Sequence, residues 1–407
     1  MTRLLIIVII LNQSLNCFAQ KPTNELRAKI DSIVNPYIKQ YSIVGMSIGI
    51  VDDTESYTIN YGSTSNKDGF SVTDSTMFHI ASITKVFTAT AIMQFVEQGK
   101  LSLDDKLVDI LPDFKLKSKE YDKITIKHLL THTSGLPWTN KQTNLPNDST
   151  SIPLFIKGLQ KIKLNFKPGA KFSGDTYSNI GFDLLGIVVQ KISNQPFHEY
   201  IYHNVLSKVD INQATYFYEE IDSSRLALPQ VVAGTSKRIE RFNLYRIDDK
   251  KNPILNGQPL ELRNYETYGE PYIDNPTGNL ITTSTELNKW TKYLIQLNNG
   301  TSNNSENIIE RKTLKHMWTA TEAIPEYKIS LGLTWWIFDN SDLGRYICHF
   351  GNNPGFCSIL FIFPDQNFGI NILCNGMFAQ EAVYNQIPLE IAGLIMKKIT
   401  GYNKKYK

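Results

Sequence analysis

Ser82 and Lys85 form a Ser-x-x-Lys pair at the start of a strongly helical stretch. Residues three apart share one face of a helix, so the hydroxyl and the amine come within reach of each other. A serine hydroxyl is a weak nucleophile until a base takes its proton. A lysine can be that base if burial and nearby positive charge lower its pKa, and the helix N-terminus adds partial positive charge beside the serine. The pair therefore predicts acyl transfer through Ser82, if the rest of the chain supplies partners.

Two further clusters could be those partners. Tyr177 and Asn179 lie in a predicted turn before a helix. A phenol flanked by cations can lose its proton more easily or relay one, and an amide can hold both a lysine ammonium and a substrate carbonyl. His349, Gly351 and Asn352 end a predicted edge strand, along which a substrate backbone could lie. His349 adds a side chain expected to titrate near neutral pH. Each cluster alone has an ordinary alternative, a packed tyrosine with a helix-capping asparagine or a simple strand-end turn.

The three clusters occur in the order Ser-x-x-Lys, Tyr-x-Asn, His-x-Gly. In this the chain resembles the serine penicillin-recognising hydrolases, which include class C β-lactamases, D-Ala-D-Ala carboxypeptidases, related esterases and D-aminopeptidases. The resemblance implies an α+β fold of the β-lactamase/transpeptidase type, with an antiparallel sheet flanked by helices and a mostly helical second lobe. It covers roughly residues 24–400, and the strings that carry it are Phe78–Ser82, Ile92–Asp105, Leu129–Pro137, Pro276–Leu287 and Gly332–Trp336.

The resemblance also implies catalytic roles. Ser82 would be the acylated nucleophile and Lys85 its proton acceptor. Tyr177 would pass protons to the leaving group and activate the water that releases the acyl group. No metal and no cofactor is expected.

Substrate contacts follow from the same resemblance. Asn179 would hold both the catalytic lysine and the substrate amide, and His349 and Gly351 would contact the substrate. The backbone N–H groups of Ser82 and Asn352 would form the oxyanion hole. Many β-lactamases carry a lysine where this chain has His349. Because a neutral histidine binds the carboxylate of a penicillin less well than a permanent cation does, this residue favours peptidase or esterase activity.

The expected function is an exported serine hydrolase that acts through an acyl-enzyme on amide or ester bonds. Its substrates would be small molecules or peptides, such as D-amino-acid peptides derived from peptidoglycan, or small esters. One alternative is a true class C-type β-lactamase. Another is a non-catalytic binding or sensing protein on the same fold, although such a protein would not need Ser82, Lys85 and Tyr177 together.

The N-terminus has the pattern of an export signal. Arg3 precedes the apolar run Leu4–Leu11, and Cys17-Phe18-Ala19 resembles a cleavage site, so residues 1–19 form the predicted signal peptide and 22–407 the hydrolase domain. Lipidation at Cys17 is the alternative. No other segment is long and apolar enough for a membrane helix. The formal net charge of +3, without a basic run in the body of the chain, argues against a nucleic-acid partner.

Strand patterns occur at both ends of the chain, with helical patterns between them. We expect a sheet lobe from about 22–80 and 270–407 and a helical lobe from about 82–270, with a surface loop at 140–153 and an insertion at 233–270. Predicted helices are 24–40, the stretch from Ser82 to Gly99, 181–192, 197–205, 283–297 and 385–400. Predicted strands are 44–51, 56–61, 333–338, 346–350, 356–363 and 369–374.

Other motifs have structural interpretations. Ser47 lies in a Gly-x-Ser-x-Gly string like a nucleophile elbow, but the apolar residues continue past it, which favours a strand. His128 and His132 have the spacing of a metal pair but lack the intervening glutamate, so a structural hydrogen bond is favoured for His132. Asp52-Asp53 is interpreted as a turn rather than an acid pair.

Cys348, Cys357 and Cys374 all lie in the C-terminal strands. A hairpin turning at 364–367 would place Cys357 opposite Cys374, so a disulfide is geometrically possible. Buried free thiols are the favoured interpretation, and the spacing does not fit a zinc site.

Overall fold

The structure is a computed structural model that describes residues 22–52, 55–139, 145–146, 148–173, 176–232, 262–264, 272–302, 308–324 and 329–400. The predicted signal peptide, Cys17 and most of the 233–270 insertion lie outside the described residues. The helices are α1 Asn24–Gln40, α2 Thr84–Glu97, α3 Leu107–Ile110, α4 Ile126–Leu130, α5 Ser151–Leu159, α6 Asn179–Ser193, α7 Phe197–Ile201, α8 Ser284–Asn299, α9 Arg311–Met317 and α10 Ile387–Thr400.

An eight-stranded sheet joins the two ends of the chain. Not every strand belongs to this sheet. Numbered along the described part of the chain, the strands are β1 Gly45–Asp52, β2 Glu55–Gly62, β3 Phe78–His79, β4 Ala214–Thr215, β5 Gln230–Val232, β6 Leu262–Asn264, β7 Ile281–Thr282, β8 Glu322–Ile324, β9 Ile329–Leu331, β10 Trp336–Ser341, β11 Gly344–Asn353, β12 Phe356–Phe363 and β13 Phe368–Cys374. The large sheet has the order β2-β1-β13-β12-β11-β10-β9-β8, and its neighbours pair antiparallel. The expected α+β architecture is confirmed.

Each face of the sheet packs on helices. The apolar residues of α1 and α10, among them Ile30, Val34 and Ile391, share one core with β1, β12 and β13. On the other face, α8 packs against β1 and β13 through Leu287 and Trp290, which belong to a second core that continues into the central helices. Both faces of the sheet are covered, so β12 and β13 are buried along their whole length and are mostly apolar rather than alternating.

Helix α2 passes through the middle of the second core. All of its residues from Thr84 to Phe95 are buried, and it contacts α6 and α7. A helix that is buried on all sides has to be mostly apolar, so a lysine at its second position is a costly exception. The helix ends as the sequence predicts, since Gly99 follows with a φ of 66° that suits a glycine.

The strand predicted at 333–338 starts later than expected. Thr334 has a φ of 78°, and its N–H donates to the Leu130 carbonyl at 2.9 Å, while the Gly332 N–H donates to the Trp335 carbonyl at 2.8 Å. This turn delays β10 until Trp336. The loop predicted at 140–153 is likewise too long, because α5 begins at Ser151; residues 140–144 and 147 lie outside the described residues.

Ser47 and the cysteines of β12 and β13 lie within the large sheet. Ser47 lies within β1, where its hydroxyl donates to Asn60 Oδ1 at 2.7 Å, so the strand interpretation is confirmed. Cys357 is directly opposite Cys374 in the β12–β13 register, and both are buried free thiols, as favoured from the sequence. Burial raises the pKa of Cys357. No helix within the described ranges has the length and apolarity to cross a bilayer.

Candidate active site

Ser82 lies in a tight 3₁₀ turn, Ala81–Ile83, immediately before α2. The turn begins with Ala81 at a φ of 49°, an unusual conformation for a residue with a Cβ atom. The Ala81 N–H donates to His79 Nδ1 at 3.1 Å, which helps to hold this conformation. Burial lowers the pKa of His79 to about 3, so its ring is neutral and can accept this hydrogen bond. The turn presents a partly exposed Ser82 in front of the helix.

Lys85 is completely buried one turn after Ser82. Its Nζ lies 3.0 Å from Ser82 Oγ and donates to the Thr277 carbonyl at 2.8 Å. Burial lowers the pKa of Lys85 to about 7, against the opposing effects of Asp183 and Asp274. The expected effect of burial on this pKa is confirmed, whereas the expected effect of nearby positive charge is wrong, because the charged neighbours that act on Lys85 are two carboxyl groups that raise its pKa. Near pH 7 a substantial fraction of Lys85 is a neutral amine, which can accept a proton.

Tyr177 completes the group around the serine hydroxyl. The Ser82 side chain lowers the pKa of the Tyr177 phenol against the larger effect of burial, and the centre of the Tyr177 ring lies 5.3 Å from Lys85 Nζ. Burial raises the pKa of Tyr177, so the expectation of an easily ionised phenol is wrong. The phenol keeps its proton at neutral pH and is suited to hand it on rather than to act as a phenolate.

His132 supports Tyr177, a role that the sequence predicted only in part. Its ring stacks on the Tyr177 ring with centroids 4.1 Å apart, and Nδ1 accepts the Ser178 N–H at 3.1 Å. Burial, together with the charge of Lys85, holds the pKa of His132 well below its usual range, so the ring is neutral. The hydrogen bond was expected, whereas the stacking depends on a contact between residues 45 positions apart and has no local signal.

The metal-like pair of histidines is structural. His128 lies in a capping box, where its Nδ1 accepts the Thr125 N–H at 3.2 Å and its own N–H donates to Thr125 Oγ1 at 3.3 Å. In the part of the chain that the structure describes, no group of three or more His, Cys, Asp or Glu side chains could hold a metal ion.

Asn179 begins α6, whose first turn is capped by the Ser178 hydroxyl accepting from the Gly181 N–H at 3.2 Å. The expected contact between Asn179 and Lys85 is not formed, because the Thr277 carbonyl takes the lysine instead. The buried Asn179 Oδ1 has no hydrogen-bond partner among the described residues. This oxygen is therefore left to accept a hydrogen bond from a substrate.

Strand β11 runs past the 3₁₀ turn Ala81–Ile83 that carries Ser82. β10 pairs with it only as far as Cys348, so within the described ranges the stretch His349–Asn353 pairs with β12 alone. The prediction of an edge strand is wrong, because β11 lies between β10 and β12 inside the sheet; within the described ranges the stretch His349–Asn353 lacks a partner on the β10 side. A Cβ atom on Gly351 would lie 2.3 Å from the Ile80 carbonyl oxygen, so a glycine is needed for the strand to approach the turn. Tyr384 donates to the Gly351 carbonyl at 2.6 Å.

His349 and Asn352 each have one buried polar atom without a hydrogen-bond partner among the described residues. His349 Nδ1 lies 2.8 Å from the Phe350 carbonyl, so Nδ1 carries the hydrogen and Nε2 a free lone pair. Burial, and secondarily the charge of Lys85, lowers the pKa of His349 to about 3, so the expected titration near neutral pH is wrong. His349 Nε2 and Asn352 Nδ2 are buried and have no hydrogen-bond partner in the described part of the protein.

Comparison with known proteins places this site in a family. The family model described as Beta-lactamase matches residues 30–392. Protein flp of Staphylococcus aureus (strain MW2) is 27% identical over 365 residues, which are 87% of this chain and 64% of that protein. The chain thus spans less than two thirds of the length of this curated relative.

Two solved structures share the fold at a TM-score of 0.72. The octameric penicillin-binding protein homologue from Pyrococcus abyssi is 24% identical, with 93% of this chain and 78% of that chain covered. A class C beta-lactamase is 18% identical, with 94% of this chain and 100% of that chain covered. The match of the family model over most of the sequence, together with the shared fold, shows that the chain belongs to the Beta-lactamase family.

Proposed function

We propose that this protein is an exported serine hydrolase that forms an acyl-enzyme on Ser82. The observation that carries the proposal is the arrangement around one hydroxyl: Lys85 Nζ lies 3.0 Å from Ser82 Oγ and 5.3 Å from the centre of the Tyr177 ring. A nucleophile, a base with a pKa of about 7 and a protonated phenol are the groups that acyl transfer requires. A binding protein would gain nothing from a buried lysine with a lowered pKa.

Acylation follows from these positions. Neutral Lys85 accepts the Ser82 proton as Oγ bonds to the substrate carbonyl carbon, and the carbonyl oxygen becomes an oxyanion. Backbone N–H groups of Ser82 and Asn352 would stabilise this charge, and the loss of one such donor costs about 3 kcal/mol of transition-state stabilisation. When the C–N or C–O bond breaks, Tyr177 passes a proton to the leaving group and regains one from Lys85.

Deacylation uses the same groups in reverse. A water molecule that attacks the acyl carbon gives its proton towards Tyr177 and Lys85, and Ser82 Oγ leaves with a proton. Asn179 Oδ1, which has no partner within the described ranges, would accept the substrate amide N–H and hold the acyl group in place.

His349 favours D-amino-acid peptides or small esters over β-lactams as substrates. A penicillin brings a carboxylate close to the reacting bond, where a permanent cation would pair with it. His349 is neutral above a pKa of about 3 and presents a lone pair at Nε2, which suits an N–H or O–H donor rather than an anion. β-Lactamase activity is therefore the second candidate, supported by the family alone.

The proposal is tested by covalent labelling. Intact-protein mass spectrometry after treatment with a fluorophosphonate should show one adduct, which peptide mapping places on Ser82. Ser82→Ala should not be labelled, whereas Ser47→Ala, a serine buried in β1, should be labelled like the wild type. No adduct with either a fluorophosphonate or a penicillin, in folded protein, would contradict the enzyme proposal. Rapid turnover of a chromogenic cephalosporin would favour the β-lactamase.

A further inference from the structure

Thr277 stands between Lys85 and a buried carboxyl group that no step of the proposed mechanism uses. Its carbonyl accepts from Lys85 Nζ at 2.8 Å, and its hydroxyl lies 3.0 Å from the Asn179 carbonyl oxygen. The same hydroxyl is hydrogen-bonded to Asp183 Oδ1. Asp183 lies one turn after Asn179 in α6, and only 4% of its surface is exposed.

The number of available hydrogens limits how these contacts can form. A threonine hydroxyl carries one hydrogen, and the Asn179 carbonyl can only accept. If the Thr277 hydrogen points to that carbonyl, the contact with Asp183 needs a hydrogen from the carboxyl group. An ionised carboxylate has none to give, and among the described residues Asp183 has no ion-pair partner within 4.0 Å. A buried carboxylate without an ion pair is costly, whereas a neutral carboxylic acid here satisfies all three groups.

We propose that Asp183 is a neutral carboxylic acid that donates its hydrogen to Thr277, and that it thereby positions the Thr277 carbonyl against Lys85 without giving the lysine a counter-charge. Asp183 is thus a positioning residue for the catalytic base. This role rests on the proposed function, because it requires Lys85 to work as a base.

The electrostatics around both groups agree with this assignment. Burial raises the pKa of Asp183 well above its usual range, and the Asp274 carboxyl raises it further, while Lys85 acts in the opposite direction. A Thr277 hydroxyl that donated to the carboxyl group would also lower this pKa, whereas one that accepts from it does not. An ionised Asp183 would favour the ammonium form of Lys85 and weaken it as a base.

The other groups that face Lys85 are one further carboxyl group and several neutral side chains. Asp274, from the 3₁₀ turn after the insertion, also favours the ammonium form. The neutral rings of His132 and His349 add no fixed charge, and Tyr177 is a protonated phenol. The protonation state of Asp183 therefore has a direct influence on that of Lys85.

Infrared spectroscopy tests the protonation state directly. The difference spectrum between wild type and Asp183→Asn at neutral pH should contain the C=O stretch of a protonated carboxylic acid. The exposed control Asp109→Asn should give only a carboxylate signal. Thr277→Val, which removes the hydroxyl, should shift the acid band to higher frequency because its hydrogen-bond acceptor is lost. A carboxylate signal for Asp183 would overturn the proposal.

Kinetics test the positioning role. Asp183→Ala should lower kcat for a small ester about tenfold with little change in KM, because the base is misplaced while the binding groups remain. Asp183→Asn, whose amide can still donate to Thr277, should recover most of this loss and leave the acid limb of the pH profile in place. A fall of the acid limb by one unit or more in Asp183→Asn would mean that an anion was removed, and would contradict the proposal.

The infrared measurement separates this inference from the proposed function. It can be repeated in the Ser82→Ala background, where no turnover occurs. A missing Ser82 adduct would refute the hydrolase, while a missing acid band would refute only the role of Asp183.

Discussion

The two walls of the site differ in how their polar atoms are used. In the nucleophile wall, formed by Ser82, Lys85 and Tyr177, Lys85 Nζ lies 3.0 Å from Ser82 Oγ and donates to the Thr277 carbonyl. The strand wall, formed by His349 and Asn352, has buried polar atoms with no partner among the described residues. The difference teaches that the bond-making chemistry is organised before a substrate arrives, whereas recognition is left for the substrate to complete.

Replacing Lys85, the proposed base, should lower the activity more than any other change considered for the two walls. Lys85→Met keeps the length of the side chain but cannot accept the Ser82 proton, so kcat/KM for a small ester should fall by about 10³-fold. Hydrolysis of a chromogenic ester gives the measurement, and the exposed Lys100→Met is the matched control. Retained activity in Lys85→Met would mean that the nucleophile wall does not contain the base.

The pH dependence of the rate should report the nucleophile wall alone. Lys85 is an effective base only when neutral, and its pKa is about 7, so log kcat/KM should rise with pH below about 7 and level off above it. His349→Gln should keep this limb, because His349 is already neutral throughout the neutral range. If the limb disappears in His349→Gln, the titrating group is His349 of the strand wall rather than Lys85, which would contradict the prediction.

A cation in the strand wall should alter recognition. His349→Lys should raise the acylation rate by penicillin about tenfold relative to wild type, because an ammonium can pair with the carboxylate that the neutral imidazole does not hold. The rate with an uncharged ester should change less, and His349→Gln should show no gain with penicillin. Stopped-flow acylation or mass spectrometry of the adduct measures the difference. An equal change for both substrates would show that the strand wall does not select by charge.

The last predicted effects concern stability, and the two walls should act in separate pH windows. The pKa of Lys85 is lowered from 10.5 to about 7 on folding, so the unfolded chain binds more protons in that window and stability falls as pH drops through it. The pKa of His349 is lowered from 6.5 to about 3, so its destabilising effect sets in only below about pH 6.5.

Urea unfolding across both windows tests this separation. Lys85→Met should flatten the dependence above pH 7 and His349→Gln the dependence below 6.5, each by up to about 1.4 kcal/mol per pH unit. If both variants flatten the same window, the pKa assignments of the two walls are wrong.

Short-range patterns were sufficient to predict much of this protein. The spacing of Ser82 and Lys85 brings the two side chains together, because one helical turn sets their distance. The apolar patterns of β12 and β13 predict these two strands, and the short turn between them predicts that Cys357 lies opposite Cys374. These features depend on residues that are close in sequence or on strands joined by a short turn.

Features that depend on distant contacts were not predictable. The partner of Lys85 is a carbonyl 192 residues away, and the sequence suggested Asn179 in its place. The left-handed turn at Thr334 depends on Leu130, and no local residue signals it. The direction of the pKa shift of Tyr177 was also missed, because it depends on how completely the folded chain surrounds the phenol.

The turn at Thr334 has a consequence for self-association. Because the β10 pairing ends at Cys348, the stretch His349–Asn353 has no β10 partner within the described ranges, and a strand edge without a partner is where chains can add to one another and aggregate. Here His349 and Gly351 are buried. This edge is only five residues long, and Pro354 follows it directly. A proline lacks the N–H that continued pairing would use. The short length of the stretch and the proline after it therefore limit how far a strand of another chain could pair along this edge.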